Sequence, residues 1–345
     1  MSYNLILNSS NVIGVNNNQY KYNFIGGSFT VPDGTELSIS QITIPYSWYN
    51  ITSALGNNTF SYTIPTNSGD TAVTVILSDG FYGITELNNA LNASLKQNKF
   101  YFYNTTGYGT SDIPTSQIIY PIQFGTNASN YTNTITFNYI PSSSGNVVTQ
   151  FGTGWIWANG TFPTNAHLPT ITIPQQNSTN ISQSTYGIGN ILGFTNATYP
   201  SSSQVFYGIT TTFTTNAPDV FNSLPLTING NTLKTYTYTG SASSLTITGA
   251  NPTFAPLATS VNGVIVRCNL VENNITMPSD VLDTFPIFAT FGSNINYLPI
   301  ADNVVKMKEG KFSNLILSFS DQNFNPLICN DPNVLISLLI HFPKK

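Results

Sequence analysis

Apolar and polar residues alternate in short runs along most of the chain, and Gly, Pro, Asn and Ser punctuate the runs. That is the pattern of antiparallel strands with one wet and one buried face. Phe60, Tyr62 and Ile64 alternate with Ser61 and Thr63, and Val73, Val75 and Leu77 lead into the turn Ser78-Asp79-Gly80. Ile135, Phe137 and Tyr139 alternate with Thr136 and Asn138, Ile171 and Ile173 with Thr170 and Thr172, and the pairs Tyr236/Tyr238 and Leu245/Ile247 add two more runs. The prediction is an all-β sandwich or barrel.

One run changes phase. Leu37 and Ile39 fall on one face of an extended segment and Ile42 and Ile44 on the other, which predicts a β-bulge near Gln41 or a strand buried on both sides. After Gly80-Phe81-Tyr82-Gly83 the period changes to that of a helix. Ile84, Leu87, Leu91 and Leu95 recur at three- and four-residue intervals, with Thr85 as the expected N-cap, Glu86 in the first turn and Lys96 near the end. A second, weaker helical pattern covers Pro278 to Phe285.

The last ninety residues have a different texture. Val264, Val266, Cys268 and Leu270, then Leu315, Leu317 and Phe319, then Val334 to Phe342 form apolar runs typical of central strands, whereas the middle is rich in Thr, Ser, Asn and Gly. Two apolar ends around a polar middle predict one domain, 1–100 plus 255–345, interrupted by an inserted β-rich domain, 101–254. The C-terminal strand is then expected to pair with strands from the first hundred residues.

Composition narrows the function. Of 345 residues only 10 are Lys or Arg and 14 are Asp or Glu, so charged residues make up 7% of the chain, against about a quarter in an ordinary soluble domain. Twenty-two Phe and 19 Tyr supply a core, so the low charge does not imply disorder. It does exclude long exposed helices, and a net charge of -4 argues against a nucleic-acid track. The basic cluster Lys306 to Lys311 and the terminal Lys344 and Lys345 read as a solvated loop and tail. Cys268 and Cys329 cannot build a disulfide framework. No window reaches the ~18 apolar residues of a membrane span, the N-terminus lacks the features of a signal peptide, and the many Asn-x-Ser/Thr triplets follow from composition.

Catalytic chemistry is thin. His167 and His341 have no companions at metal-ligand spacing; His341 reads as a structural strand residue and His167 as a solvated loop residue. Cys268 reads as a small core residue. Asp280 with Asp283 and Asp33 with Glu36 are the nearest carboxylate pairs, and turn or capping roles suit all four better than acid and base work. Gly187 to Gly193 has the glycines of a nucleotide loop without its strand, helix or acidic partner. The chain is therefore not expected to be an enzyme or to carry a cofactor or metal. Trp155 and Trp157 share one face in Gly154-Trp155-Ile156-Trp157 and are the candidate surface-contact residues. Exposed, they suit a sugar or protein surface; buried, they belong to a core, which is the commoner fate of large aromatics.

Asn58-Thr-Phe60 in a strand, then Gly80-Phe-Tyr-Gly-Ile-Thr-Glu-Leu-Asn-Asn-Ala-Leu, then Ile191-Leu-Gly-Phe194, and finally Asn314-Leu-Ile-Leu-Ser-Phe-Ser-Asp321-Gln-Asn-Phe-Asn-Pro326-Leu before a last apolar strand resemble, in this order, the capsid proteins of virophages and Polinton-like viruses. The resemblance covers roughly the first hundred and last ninety residues, and the middle only at Ile191 to Phe194. It implies a single jelly-roll β-sandwich with an inserted, mainly β domain and one short amphipathic helix, since a double jelly roll is usually considerably longer. It further implies a penton, or minor capsid protein, similar to that of Sputnik-type virophages. Such a protein is located in the virion, forms homopentamers at the five-fold vertices and meets the major capsid protein as its partner. A major capsid protein of the same lineage, or a carbohydrate- or receptor-binding β-sandwich, would fit the composition too.

Overall fold

The structure, a computed structural model, describes residues 2–106, 114–127, 132–174, 188–194, 197–199, 227–228, 231–232, 244–249, 261–300 and 303–343. It is mostly β, and the chain divides into two compact units, Met1–Tyr49 with Thr259–Lys345, and Asn50–Ala258.

Eight strands form the two main sheets of the first unit: β1 (Ser2–Asn8), β2 (Gln19–Asn23), β3 (Glu36–Pro45), β4 (Gly263–Cys268), β5 (Val281–Pro286), β6 (Asn294–Tyr297), β7 (Asn314–Ser320) and β8 (Leu335–His341). The short strands Val12–Ile13 and Val305–Lys306 extend these sheets, and Phe29–Val31 pairs with Gly310–Phe312. One sheet runs β1-β8-β3-β6 and the other β5-β4-β7-β2, all antiparallel. Lettering the strands B to I in chain order gives B-I-D-G and F-E-H-C, the strand orders of an eight-stranded jelly roll of two Greek keys. The inward side chains are the apolar members of the sequence alternation. Leu5, Leu7, Ile336, Leu338 and Ile340 come from one sheet and Val264, Val266, Leu315, Leu317 and Phe319 from the other, all buried. The second helical pattern, Pro278 to Phe285, is corrected: Val281–Pro286 is strand β5. Its apolar residues pair with β4 across a register shift between Val266 and Arg267, so tertiary pairing overrides a short helical period.

The phase change in β3 is a bulge. Ser337 faces Gln41 while Leu338 faces Ile39, so exposed Ser40 is the extra residue. It lets Leu37, Ile39, Ile42 and Ile44 all point into the core. The Asp321 motif is a turn between β7 and β8. The buried Asp321 carboxylate accepts from Asn323 N (2.8 Å), Asn325 N (2.9 Å) and Asn325 Nδ2 (3.0 Å), local bonds that pull the chain out of β7.

The second unit holds a four-stranded sheet, Thr198–Tyr199, Thr170–Thr172, Thr59–Thr66 and Gly69–Ile76 in that order, and smaller sheets. Two of these are Ile122–Asn127, Thr132–Asn138 and Ser244–Gly249, and Trp155–Trp157, Phe102–Asn104 and Ile118–Ile119. The expected helix is α1 (Ile84–Gln97), with Leu87, Leu91 and Leu95 fully buried. Its N-cap is Gly83 rather than Thr85, because the Glu86 carboxylate reaches back to Gly83 N at 2.9 Å. The sequence pattern did not suggest α2 (Ser144–Phe151), which opens inside a Ser-rich stretch where the Ser143 hydroxyl accepts from Asn146 N. The Tyr236/Tyr238 run lies outside the described residues.

The expected first domain boundary, after residue 100, is moved to 49/50. Tyr62 pairs with Ile171 across the four-stranded sheet, and Asn88 Oδ1 accepts from Phe124 N at 2.9 Å beside the α1 helix. Residues 50–100 therefore share a core with 120–199. The second boundary falls at 258/259, close to the expected 254/255. As expected, the C-terminal strand β8 pairs with early strands, β1 on one side and β3 on the other.

Replacing Asp321 by Ala strands the Asn323 and Asn325 amides. It should lower unfolding free energy by about 2–3 kcal/mol in urea titration, with Asp321→Asn milder.

Candidate functional site

Side chains suited to chemistry are engaged within the protein. His341 in β8 lies between two hydroxyls, Ser2 Oγ at 3.1 Å from Nδ1 and Ser38 Oγ at 2.8 Å from Nε2, a structural role as the sequence suggested. His167 is not solvated: only 11% of its side chain is exposed, and its ring nitrogens face the Leu168 carbonyl and Asp70 Oδ1, both at 2.8 Å. The Arg267 guanidinium holds Asp280 through three contacts of 2.8–3.1 Å. Asp283 is buried and accepts from the Tyr297 hydroxyl at 2.8 Å and from Asn303 Nδ2 at 3.3 Å. Asp33 pairs with Lys306 Nζ at 2.8 Å, and the hydrogen bond and attraction lower the Asp33 pKa and raise that of Lys306. Asp33 and Asp280 sit in turns, as the sequence suggested, and make ion pairs there, whereas Asp283 is a buried acceptor in strand β5. Among the described residues no group of three His, Cys, Asp or Glu side chains could hold a metal.

Trp157 belongs to a core. It is buried, donates from Nε1 to the Thr161 carbonyl at 3.2 Å, and packs on Phe102 with ring centroids 4.6 Å apart. Trp155 is half-buried and lies 5.9 Å from Phe151 between ring centroids. As a surface contact Trp157 is therefore corrected, because its strand turns it inward, while Ile156 between the two points outward, 42% exposed. Gly154 is required before this pair: its φ is +88°, and a Cβ there would collide with Thr106 Oγ1 and meet Asn104 Oδ1 at 2.7 Å.

The broad surface available for contact is the outward face of the β1-β8-β3-β6 sheet. Asn4, Ile6 and Asn8 of β1 lie beside Leu339, Ser337 and Leu335 of β8, and these beside the buried Ser38 and the half-buried Gln41 and Thr43 of β3. Polar groups there bond to one another within the sheet surface. Ser337 Oγ donates to Asn4 Oδ1 (2.8 Å), Thr43 Oγ1 to Asn296 Oδ1 (3.0 Å), and the Ser2-His341-Ser38 chain spans three strands. Ile6 and Leu335 form an apolar strip, 53% and 42% exposed. Glu36 is the acidic residue of this face, opposite Lys306 in register. Further exposed apolar residues occupy loops at one end of the unit: Ile25 between β2 and β3, Ile275 and Met277 between β4 and β5, and Leu298 and Ile300 between β6 and β7. Those loops are joined by backbone bonds from Met307 N to Thr35 O and from Glu272 N to Lys306 O. Sequence alternation marks the outward residues of each strand; which of them lie side by side depends on register.

No protein-family model matches the chain, and no curated protein does. Among solved structures, a crystal structure of the mavirus penton protein aligns with 99% of this chain and 98% of its own, at 11% identity and a TM-score of 0.38.

Two measurements follow from the buried groups. Trp157→Ala should destabilise the second unit by about 3–5 kcal/mol, read as a lowered unfolding midpoint. Burial pushes the thiols of Cys268 and Cys329 up to about 12 and also raises Tyr46 to about 12. Desolvation followed by the neighbouring Asp283 raises Tyr297 to about 12. The folded protein therefore holds protons that the unfolded chain releases. Stability should stay level up to about pH 8 and fall as pH climbs through 9 towards 12 in urea titrations, and a thiol reagent at pH 8 should label neither cysteine until the protein unfolds.

Proposed function

We propose that this chain is a structural virion protein, the penton or minor capsid subunit of a virophage-like particle, and that it acts by forming closed homopentamers at the five-fold vertices beside the major capsid protein. The observation that carries the reading is the single eight-stranded jelly roll with residues 50–258 inserted between its third and fourth strands, D and E. Capsid and lectin domains are among the frequent users of that architecture. The ordered series of motifs from Asn58 to Leu327 supports the capsid branch, and the Asp321 turn gives the last of them a physical purpose. Burial of Trp157 weighs against a sugar-binding surface built on the Trp155 and Trp157 pair, and one jelly roll in the first unit favours a penton over a double-roll major capsid protein.

Assembly suits the surface. Uncharged side chains that already bond to one another lose little when water leaves, and the apolar loop ends offer contact area without ions to desolvate. A cyclic pentamer needs one patch to meet a different patch on the next subunit.

Light scattering with negative-stain imaging of the purified protein tests this. Five copies of the 37.5-kDa chain are expected, seen as five-fold rings. Trimers would favour the major capsid reading, and a protein that stays monomeric at high concentration and is missing from particles would overturn assembly altogether.

A further inference from the structure

The two outward faces of the jelly roll differ in charge. On the β1-β8-β3-β6 face, Glu36 is exposed and makes no ion pair among the described residues. Lys306, opposite Glu36 in register, is held by Asp33, so this corner keeps one uncompensated negative charge. His341, the other cross-strand neighbour of Glu36, is bonded to two hydroxyls.

On the β5-β4-β7-β2 face the sign is reversed. Tyr20 points into the core and Lys21 therefore points out, beside Ile316 of β7. Lys21 also makes no ion pair among the described residues. The other cation of that face, Arg267, is neutralised by Asp280. One positive charge remains.

We infer that the outward β1-β8-β3-β6 face of one copy packs on the outward β5-β4-β7-β2 face of the next, with Glu36 of the first copy meeting Lys21 of the second. The occupant is a second copy of this chain because each face supplies the charge that the other lacks. Packing the first face on its own twin would instead bring two uncompensated Glu36 carboxylates into one interface, which is unfavourable. The resulting contact is heterologous, the kind that closes a ring. Ile6 and Leu335 supply its apolar centre, and the Ser337-Asn4 and Thr43-Asn296 bonds leave those groups already partnered when the face is covered.

This inference rests on the proposal that the chain forms rings, and charge reversal separates the two. Wild type, Glu36→Lys, Lys21→Glu and the double variant would be compared by native mass spectrometry over a concentration series, with thermal midpoints as a control for folding. Both residues lie on the surface of their sheets, so the midpoints should stay close to that of wild type. Each single reversal should raise the concentration needed for assembly by at least about tenfold, and the double variant should return it towards the wild-type value. A wild-type ring indifferent to both single reversals overturns the contact and leaves the ring standing. Single variants that dissociate without rescue in the double also overturn it. A wild-type chain that never assembles overturns the ring reading, and the contact with it.

Discussion

Strand β8 lies between β1 and β3, so the last strand of the chain must close on its first strands, with His341 bonded to Ser38 across 303 residues of sequence. Loop-closure entropy grows only slowly with length, and that makes an insertion as large as 50–258 tolerable between β3 and β4. Once β8 is in place, the alternation of β1, β3 and β8 resolves into one buried and one outward face. The Ser40 bulge keeps both halves of β3 facing the core despite the phase change. Without that register, Ile6, Ser337 and Gln41 would not share a surface.

The same closure explains how the protein works with so few charges. Several of its ionic groups are committed locally, Arg267 to Asp280, Lys306 to Asp33 and His167 to Asp70. The outward strands carry Asn, Ser, Thr and Gln instead. These side chains bond across strands, so the face is polar enough for water yet has little unsatisfied polarity to lose on contact. The proposed assembly uses that property, and the proposed pairing of Glu36 with Lys21 would set its direction.

Much of the jelly roll was legible in the chain. Alternation located the strands Gly263–Cys268, Asn314–Ser320 and Leu335–His341, the phase change located the bulge, and the leucine spacing located α1. Less was legible where a short pattern had two meanings. Val281–Pro286 reads weakly as helix and folds as strand because β4 offers it a hydrogen-bonding edge. The stretch before Ser144 reads as loop and caps a helix because the Ser143 hydroxyl reaches Asn146 N. Residues 50–100 look like part of the outer domain, since their strand and helix patterns are as regular as those of the ends; the pairing of Tyr62 with Ile171, the Asn88–Phe124 bond and the shared core assign them to the insertion.

The sequence by itself determined the all-β class, the shortage of ionisable chemistry and the positions that must face a core, because these follow from local period and composition. Tertiary structure decided the rest: the strand orders of the two sheets, the burial of Trp157, the partner of His167 and the outward surface of β1, β8 and β3. Each of these depends on which strands meet and in what register, and the hydrogen bonds that fix register join residues far apart in the chain.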